Sequence, residues 1–286
     1  MVRRPLGNHH DGPDTLLVTS DAKQTAPVAT GTEDQSGTEN GTGSETAGVA
    51  AEESTRASEK LHELITRARV VLWDFDGPIC RLFAGHSAER VASDLVDWLG
   101  GQGLHGLLTV AERESLDPHI VLRAVDRRHP DSDLVTALEK RLTREETRAA
   151  ASAMPTAYAD RLIRTWAAVG SRLAIATNNS PRVVRHYLEG RGLLSCFAPH
   201  IYGRTENLRH LKPHPHCLQR ALRATGAAPA EALMIGDTPS DHEAATEAGV
   251  PFLGYARNAR KEKLLREAGA TQIVWRARCA LRMRVS

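Results

Sequence analysis

Aromatic residues are scarce in this chain: tryptophan, tyrosine and phenylalanine number four each and together make up 4% of the sequence. So few rings offer no stacking platform for nucleic acid. Cysteine is as rare. Cys80, Cys196, Cys217 and Cys279 lie scattered without a paired or metal-ligand spacing. That pattern excludes a disulfide-stapled scaffold and a thiolate zinc site, and it predicts free thiols in a reducing compartment. No apolar run reaches the length of a membrane span, and the first residues lack the Arg-rich start and continuous apolar stretch of a secretion signal, so a soluble, cytoplasmic protein is expected. Lysine is short too, with six against 31 arginines, which gives a lysine at a chemically sensitive place more weight than usual.

What is present is an ordinary globular composition, 41% hydrophobic over 286 residues, enough for one domain with an accessory domain and an unstructured end. Residues 1–55 depart from it: Gly, Thr, Ser, Glu and Asp dominate, no period is visible, and a disordered tail is expected. Five of the 37 basic and ten of the 35 acidic side chains fall in residues 1–60, which leaves the remainder with 32 basic against 25 acidic. A mildly basic body suits an anionic ligand. Arg276, Arg278, Arg282 and Arg284, in the last eleven residues, read as solvated basic side chains rather than as a nucleic-acid patch, and residues 277–286 as a basic tail.

The chain is arranged around the stretch from Arg69 to Cys80. A short β-prone apolar run, Val70 to Trp73, ends in Asp74 and Asp76 and then Gly77, which reads as a buried strand opening into a turn. Aspartates at the mouth of a buried strand need a cation, a metal or a catalytic task, because desolvating an unpaired charge is costly. In an open α/β sheet that carboxyl end is also where ligands bind.

Later strands end in comparable ways. Arg172 to Ala176 stops at Thr177-Asn178-Asn179-Ser180-Pro181, where Ser180 caps and Pro181 opens a helix, and where the Thr177 hydroxyl and free amides suit a phosphate oxygen. A short strand near Pro199 to Tyr202 precedes Leu211-Lys212-Pro213-His214-Pro215, and Lys212 offers a compact ammonium for close work between anions. His210, His214 and His216 around it read as exposed loop histidines, since no Cys or carboxylate completes a zinc set. Ala232 to Ile235 runs into Gly236-Asp237-Thr238-Pro239-Ser240-Asp241, followed by a helix to Gly249, a strand near Pro251 to Tyr255, a helix capped by Asn258 and a last strand at Gln272 to Trp275.

Taken in order, these four segments resemble the four motifs of the haloacid dehalogenase-like hydrolase superfamily: DxDG after a hydrophobic strand, a strand ending in Thr, a lysine before a proline-rich helix start, and GDxxxD. Pro78 departs from the pattern, which has Thr or Val there. The resemblance implies an α/β fold, a doubly wound parallel sheet (Rossmann-like) with an inserted α-helical cap domain. The core would be 66–80 and 156–276, and the cap 81–155. Within the cap, Ser87 heads a helix carrying Val91, Leu95, Trp98 and Leu99 and ended by Gly100-Gly101; Asp117-Pro118 opens a second with Ile120, Val121 and Val125; Asp131 or Ser132 opens a third with Leu134, Leu138 and Leu142. Strands are not expected within this stretch. After it, Tyr158, Leu162, Trp166 and Val169 form the stripe of a core helix.

The chemistry implied is phosphate monoester hydrolysis. Asp74 would be the nucleophile that forms an aspartyl-phosphate, Asp76 the general acid and base, Thr177, Asn178 and Lys212 the holders of substrate oxygens, and Mg2+ the cofactor, held by Asp74, Asp76, Asp237 and Asp241. Asp237 with Asp241, in a fold that already holds two aspartates, makes a hard-oxygen site. Asp76 favours a phosphatase over a dehalogenase, because a halide leaves unprotonated. Arg81, Phe83, His86 and Arg90 lie just past the first motif, within reach of a substrate. The partner implied is a small phosphorylated metabolite, such as a sugar phosphate or phosphoglycolate. A phosphomutase of the same superfamily and a non-catalytic binding protein that kept the fold are the alternatives, and no residue pattern speaks to oligomeric state.

Overall fold

Runs of four or five apolar residues bounded by turn residues are too short for buried helices and pair instead as strands. The computed structural model describes residues 55–56 and 58–275. The tail expected up to residue 55, except Thr55 itself, the basic terminus at 277–286, Arg276 and Cys279 lie outside the described residues. The strands are β1 (Val70–Trp73), β2 (Cys80–Arg81), β3 (Met154–Pro155), β4 (Arg172–Ala176), β5 (Ile201–Tyr202), β6 (Ala232–Gly236), β7 (Phe252–Tyr255) and β8 (Ile273–Val274). Six of them form a parallel sheet in the order β5-β4-β1-β6-β7-β8. The most buried strand, β1, sits between β4 and β6, with Trp73 level with Ile175 on one side and Ile235 on the other.

Helices cover both faces. They are α1 (residues 58–67), α2 (Ala88–Gly101), α3 (Val110–Arg113), α4 (Pro118–Arg128), α5 (Asp133–Ala151), α6 (Ala159–Ala168), α7 (Pro181–Gly190), α8 (Leu194–Phe197), α9 (His216–Thr225), α10 (Pro239–Glu247) and α11 (Ala259–Glu267). Strand side chains alternate between faces. Val71, Trp73, Ile175 and Ile235 pack on one side with Ile65 of α1, Trp166 of α6 and Val184 of α7. Val70, Leu72, Ala174 and Met234 pack on the other with Leu218 of α9 and Ala244 of α10. The expected doubly wound α/β sheet is therefore present, and α1 carries its packing upstream of residue 66 through Leu61 and Ile65.

Between β2 and β3 the chain is helical, and α2, α4 and α5 share an apolar core of Val91, Leu95, Val121, Val125, Leu138 and Leu142. Their starts are fixed by Ser87, Asp117 and Ser132, whose side chains accept hydrogen bonds from the backbone N–H of Arg90, His119 and Val135. Leu208 and Leu211, just ahead of Lys212, close this same core from the sheet side.

The structure corrects the sequence reading in four places. Strands do occur before residue 156: β2 and β3 pair antiparallel as the two chain crossings into and out of the helical insertion. Gly100 and Gly101 are the last two residues of helix α2 rather than a break ahead of its end, and Gln102 is the C-cap. Only Leu162 and Trp166 of the expected stripe are buried, while Tyr158 precedes α6 at φ 67° and Val169 is exposed. Ser180 opens α7 without a side-chain cap bond, and its N–H donates to Glu146 instead. Among the described residues, no helix is long and apolar enough to cross a membrane, and Cys80, Cys196 and Cys217 are free.

Candidate active site

The carboxyl ends of β1, β4 and β6 meet at one edge of the sheet. Asp74 follows β1 directly, and its N–H donates to Ile235 O at 2.8 Å, so the strand pairing persists to the tip. Gly77 then turns the chain at φ +115°, in the region that favours glycine. A Cβ there would lie 2.3 Å from Asp237 Cγ, so the missing side chain is what lets the first and fourth motifs touch. The turn is closed by Ile79 and Cys80 N–H to Phe75 O and by Gly77 N–H to Cys80 O. None of these bonds needs an N–H at position 78, and Pro78 fits without loss.

Lys212 is the hub. Its buried ammonium donates to Asp74 Oδ1 at 2.8 Å, Ala176 O at 2.9 Å and Asp241 Oδ1 at 2.5 Å. Burial alone would lower the Lys212 pKa, but the Asp241 and Asp74 carboxylates overcome it and hold the ammonium well above the usual lysine range. Thr177 lies at the tip of β4, with its N–H on Tyr202 O and its hydroxyl on Asn179 Oδ1 at 3.0 Å.

The carboxylates outnumber the cations set among them. Burial raises Asp74 even with Lys212 beside it. Burial pushes Asp237 up to about 7, opposed by Lys261, whose ammonium is 2.7 Å from Asp237 Oδ2. Burial also lifts Asp76 to about 6, against the Leu82 N–H that donates to its Oδ1 at 2.8 Å. Carboxylates pushed upward by their surroundings gain most from an added cation. Ligand oxygens of Asp74, Asp237 and Asp241 lie within 4.8 Å of one another. Buried Asp237 Oδ1 has no hydrogen-bond partner. An orphaned carboxylate oxygen in an all-oxygen cluster fits a hard divalent cation such as Mg2+.

The expected residues thus come together, with some in other postures than foreseen. Asn178 lines the cavity, but its carboxamide is spent on the Lys212 backbone, accepting from Lys212 N at 2.7 Å and donating to Lys212 O at 3.2 Å. The Asp241 Oδ2 accepts from Asp237 N, Thr238 N and Thr238 Oγ1, which makes it the brace of its own loop as well as a member of the acidic group. The Asp76 carboxylate stands outside that group. Arg81 and Phe83 line the cavity of ≈ 280 Å³, whereas His86 is turned away onto Glu145 at 3.0 Å and Arg90 is not in the lining. Sequence reasoning missed Lys261, Arg257 and His119, all of which line the cavity. For Lys261 the scarcity of lysine was the available signal.

Comparison with known proteins agrees with this geometry. A family model for haloacid dehalogenase-like hydrolases matches residues 68–249. A phosphoglycolate phosphatase from Rhodospirillum rubrum is 37% identical over 132 residues, which cover 43% of this chain and 53% of that protein. A phosphoserine phosphatase from Thermus thermophilus is 37% identical over 94 residues, covering 32% of this chain and 37% of that one. The chain thus spans about half or less of the length of these curated relatives. In fold, the chain is similar to a predicted phosphoglycolate phosphatase from Haemophilus somnus, with TM-score 0.56, 15% identity and coverage of 77% of this chain and 98% of that one. A haloacid dehalogenase-like family protein from Streptococcus pneumoniae gives TM-score 0.51, 17% identity and coverage of 73% and 94%.

Proposed function

Because the chain belongs to the haloacid dehalogenase-like hydrolase family, we propose that it is a Mg2+-dependent phosphatase that hydrolyses a small phosphate monoester through a phosphoryl group carried on Asp74. One observation carries the reading. The Asp74 carboxylate is fixed by a buried ammonium at 2.8 Å and belongs to a group of three carboxylates, one of which keeps an oxygen without a partner. Such a cluster is expensive as mere packing and suits a site that takes in a cation and an anion together.

Asp74, Asp237 and Asp241, with the backbone carbonyl of Asp76, would hold Mg2+, which supplies positive charge against the repulsion between a phosphate dianion and a carboxylate. Asp74 attacks phosphorus in line while Asp76 gives a proton to the leaving alcohol. Asp76 then takes a proton from the water that cleaves the acyl phosphate, and Asp74 is regenerated. Lys212 and Thr177 hold the transferring oxygens. The insertion α2–α5 acts as the cap, with the Asp117–His119 segment and Phe83 shielding the site so that water enters at the second step. The cavity of ≈ 280 Å³ suits a small substrate, and the phosphoglycolate and phosphoserine phosphatases among the relatives point to a small phosphorylated acid. Free Cys80, Cys196 and Cys217 suit the cytoplasm.

The test is phosphate release from p-nitrophenyl phosphate with Mg2+ and after chelation. The expected result is turnover that chelation removes, and loss of at least about 10³-fold in Asp74→Asn. Unchanged turnover in Asp74→Asn would exclude the assignment.

A further inference from the structure

Behind the Thr177 loop stands a buried cation that the steps above do not use. Arg204, two residues past β5, has a side chain 1% exposed. All five of its side-chain N–H groups find acceptors. Nε donates to Glu139 Oε1 at 3.0 Å; Nη1 donates to Glu146 Oε1 at 2.9 Å and Asn178 O at 3.0 Å; Nη2 donates to Glu146 Oε2 at 2.9 Å and Thr143 Oγ1 at 2.7 Å. Glu139, Thr143 and Glu146 are spaced four and three apart, so they share one face of α5. Arg204 therefore joins the long helix of the insertion to the loop that carries Thr177.

Glu146 passes the connection on. It is fully buried, and besides Arg204 it accepts from Asn179 Nδ2 at 3.0 Å and Ser180 N at 3.2 Å. Asn179 Oδ1 accepts the Thr177 hydroxyl at 3.0 Å, and Asn179 N donates to the same hydroxyl at 3.2 Å. The backbone of Arg204 adds a bond to Asn179 O at 3.0 Å. Gly203 permits that approach, since a Cβ there would lie 2.4 Å from Asn179 O. His119, from the first turn of α4, completes the cluster with its Nε2 3.5 Å from Glu146 Oε1.

A buried ion pair is a poor way to gain stability compared with an apolar pair of the same volume. Its fixed directions are a good way to hold a hydroxyl in one orientation. We propose that Glu146 and Arg204 are positioning residues that set the Thr177 hydroxyl through Asn179, making α5 of the insertion a fixed part of the phosphate-binding site. This rests on the reading of Thr177 as a phosphate ligand.

A double-mutant cycle on the full-length protein tests it, with kcat and KM for p-nitrophenyl phosphate measured for Thr177→Val, Glu146→Gln and the double variant. Positioning predicts a loss in kcat/KM of about tenfold to a hundredfold in Glu146→Gln. It also predicts that the double variant falls no more than about twofold below Thr177→Val alone. A packing clamp would give multiplicative losses, which overturns the inference, as does unchanged kcat/KM in Glu146→Gln. Where Glu146→Gln does not fold, Asn179→Ala cuts the same link, leaves the ion pair whole and is expected to show the same dependence on Thr177. Additive losses with an impaired Thr177→Val overturn this inference alone. Unchanged activity in Thr177→Val overturns the phosphate role of Thr177 as well.

Discussion

Asp76 is half-buried beside Asp74, and burial lifts its carboxyl to about 6, into the range where it can both give and take a proton near neutral pH. Asp76→Asn is expected to slow hydrolysis of an alkyl phosphate by about 10²–10⁴-fold. The first-turnover burst of p-nitrophenolate, a leaving group that needs no proton, falls far less in stopped-flow absorbance. Equal losses on the two substrates contradict the acid role. Gly77→Ala places a Cβ 2.3 Å from Asp237 Cγ at a φ of +115°, and the strain is expected to lower stability by about 1–3 kcal/mol in urea unfolding while activity collapses. A neutral outcome would mean that the first and fourth motifs do not touch as described. The placement of Asp74, Asp76 and Asp237 at one sheet edge was legible in the sequence because each follows a buried apolar strand, and Lys212 stood out because lysine is scarce and this one precedes a proline-rich helix start. Glu146 and Arg204 were not legible, because the two lie 58 positions apart and the strand ahead of Arg204 is only two residues long. The posture of Asn178, bonded to the Lys212 backbone 34 positions on, left no local trace either.

Among elements, helices with a 3.6-residue stripe and a capping side chain were the readable ones, and Ser87, Asp117 and Ser132 mark the starts of α2, α4 and α5 as expected. The ribbon of β2 and β3 was not readable. Two residues per strand hold no period, and the pairing of Cys80 with Pro155 arises because the chain must leave and re-enter the sheet layer at one place. Tyr158 follows the helical spacing but takes φ 67° ahead of α6 and is exposed. The first turn of α4 carries a pH dependence of its own. Burial would lower His119, but its hydrogen bonds to the Asp117 and Glu146 carboxylates raise it from 6.5 to about 9. A raised histidine contributes stability that is complete below about pH 6.5 and is lost as pH climbs through about 9. The urea midpoint is therefore expected to fall across that window relative to His119→Gln. A constant difference between the two proteins from pH 6 to pH 10, on the order of one standard error, would show that His119 is not held charged.

For the whole molecule, the parallel sheet gathers three strand tips at one edge, and the helical insertion lies over them with its core sealed by Leu208 and Leu211. The body's excess of basic residues reappears at the cavity as Arg81, Arg257 and Lys261, which favours an anion at its mouth. Asp74 is buried against Lys212 at 2.8 Å, and the proposed function makes it the acceptor for phosphorus. The most direct measurement is acid-quenched peptide mass analysis of Asp76→Asn mixed with p-nitrophenyl phosphate and Mg2+. The predicted result is a phosphoryl group on the peptide that contains Asp74. A phosphoryl group on another peptide, or sustained turnover with none bound, would contradict it.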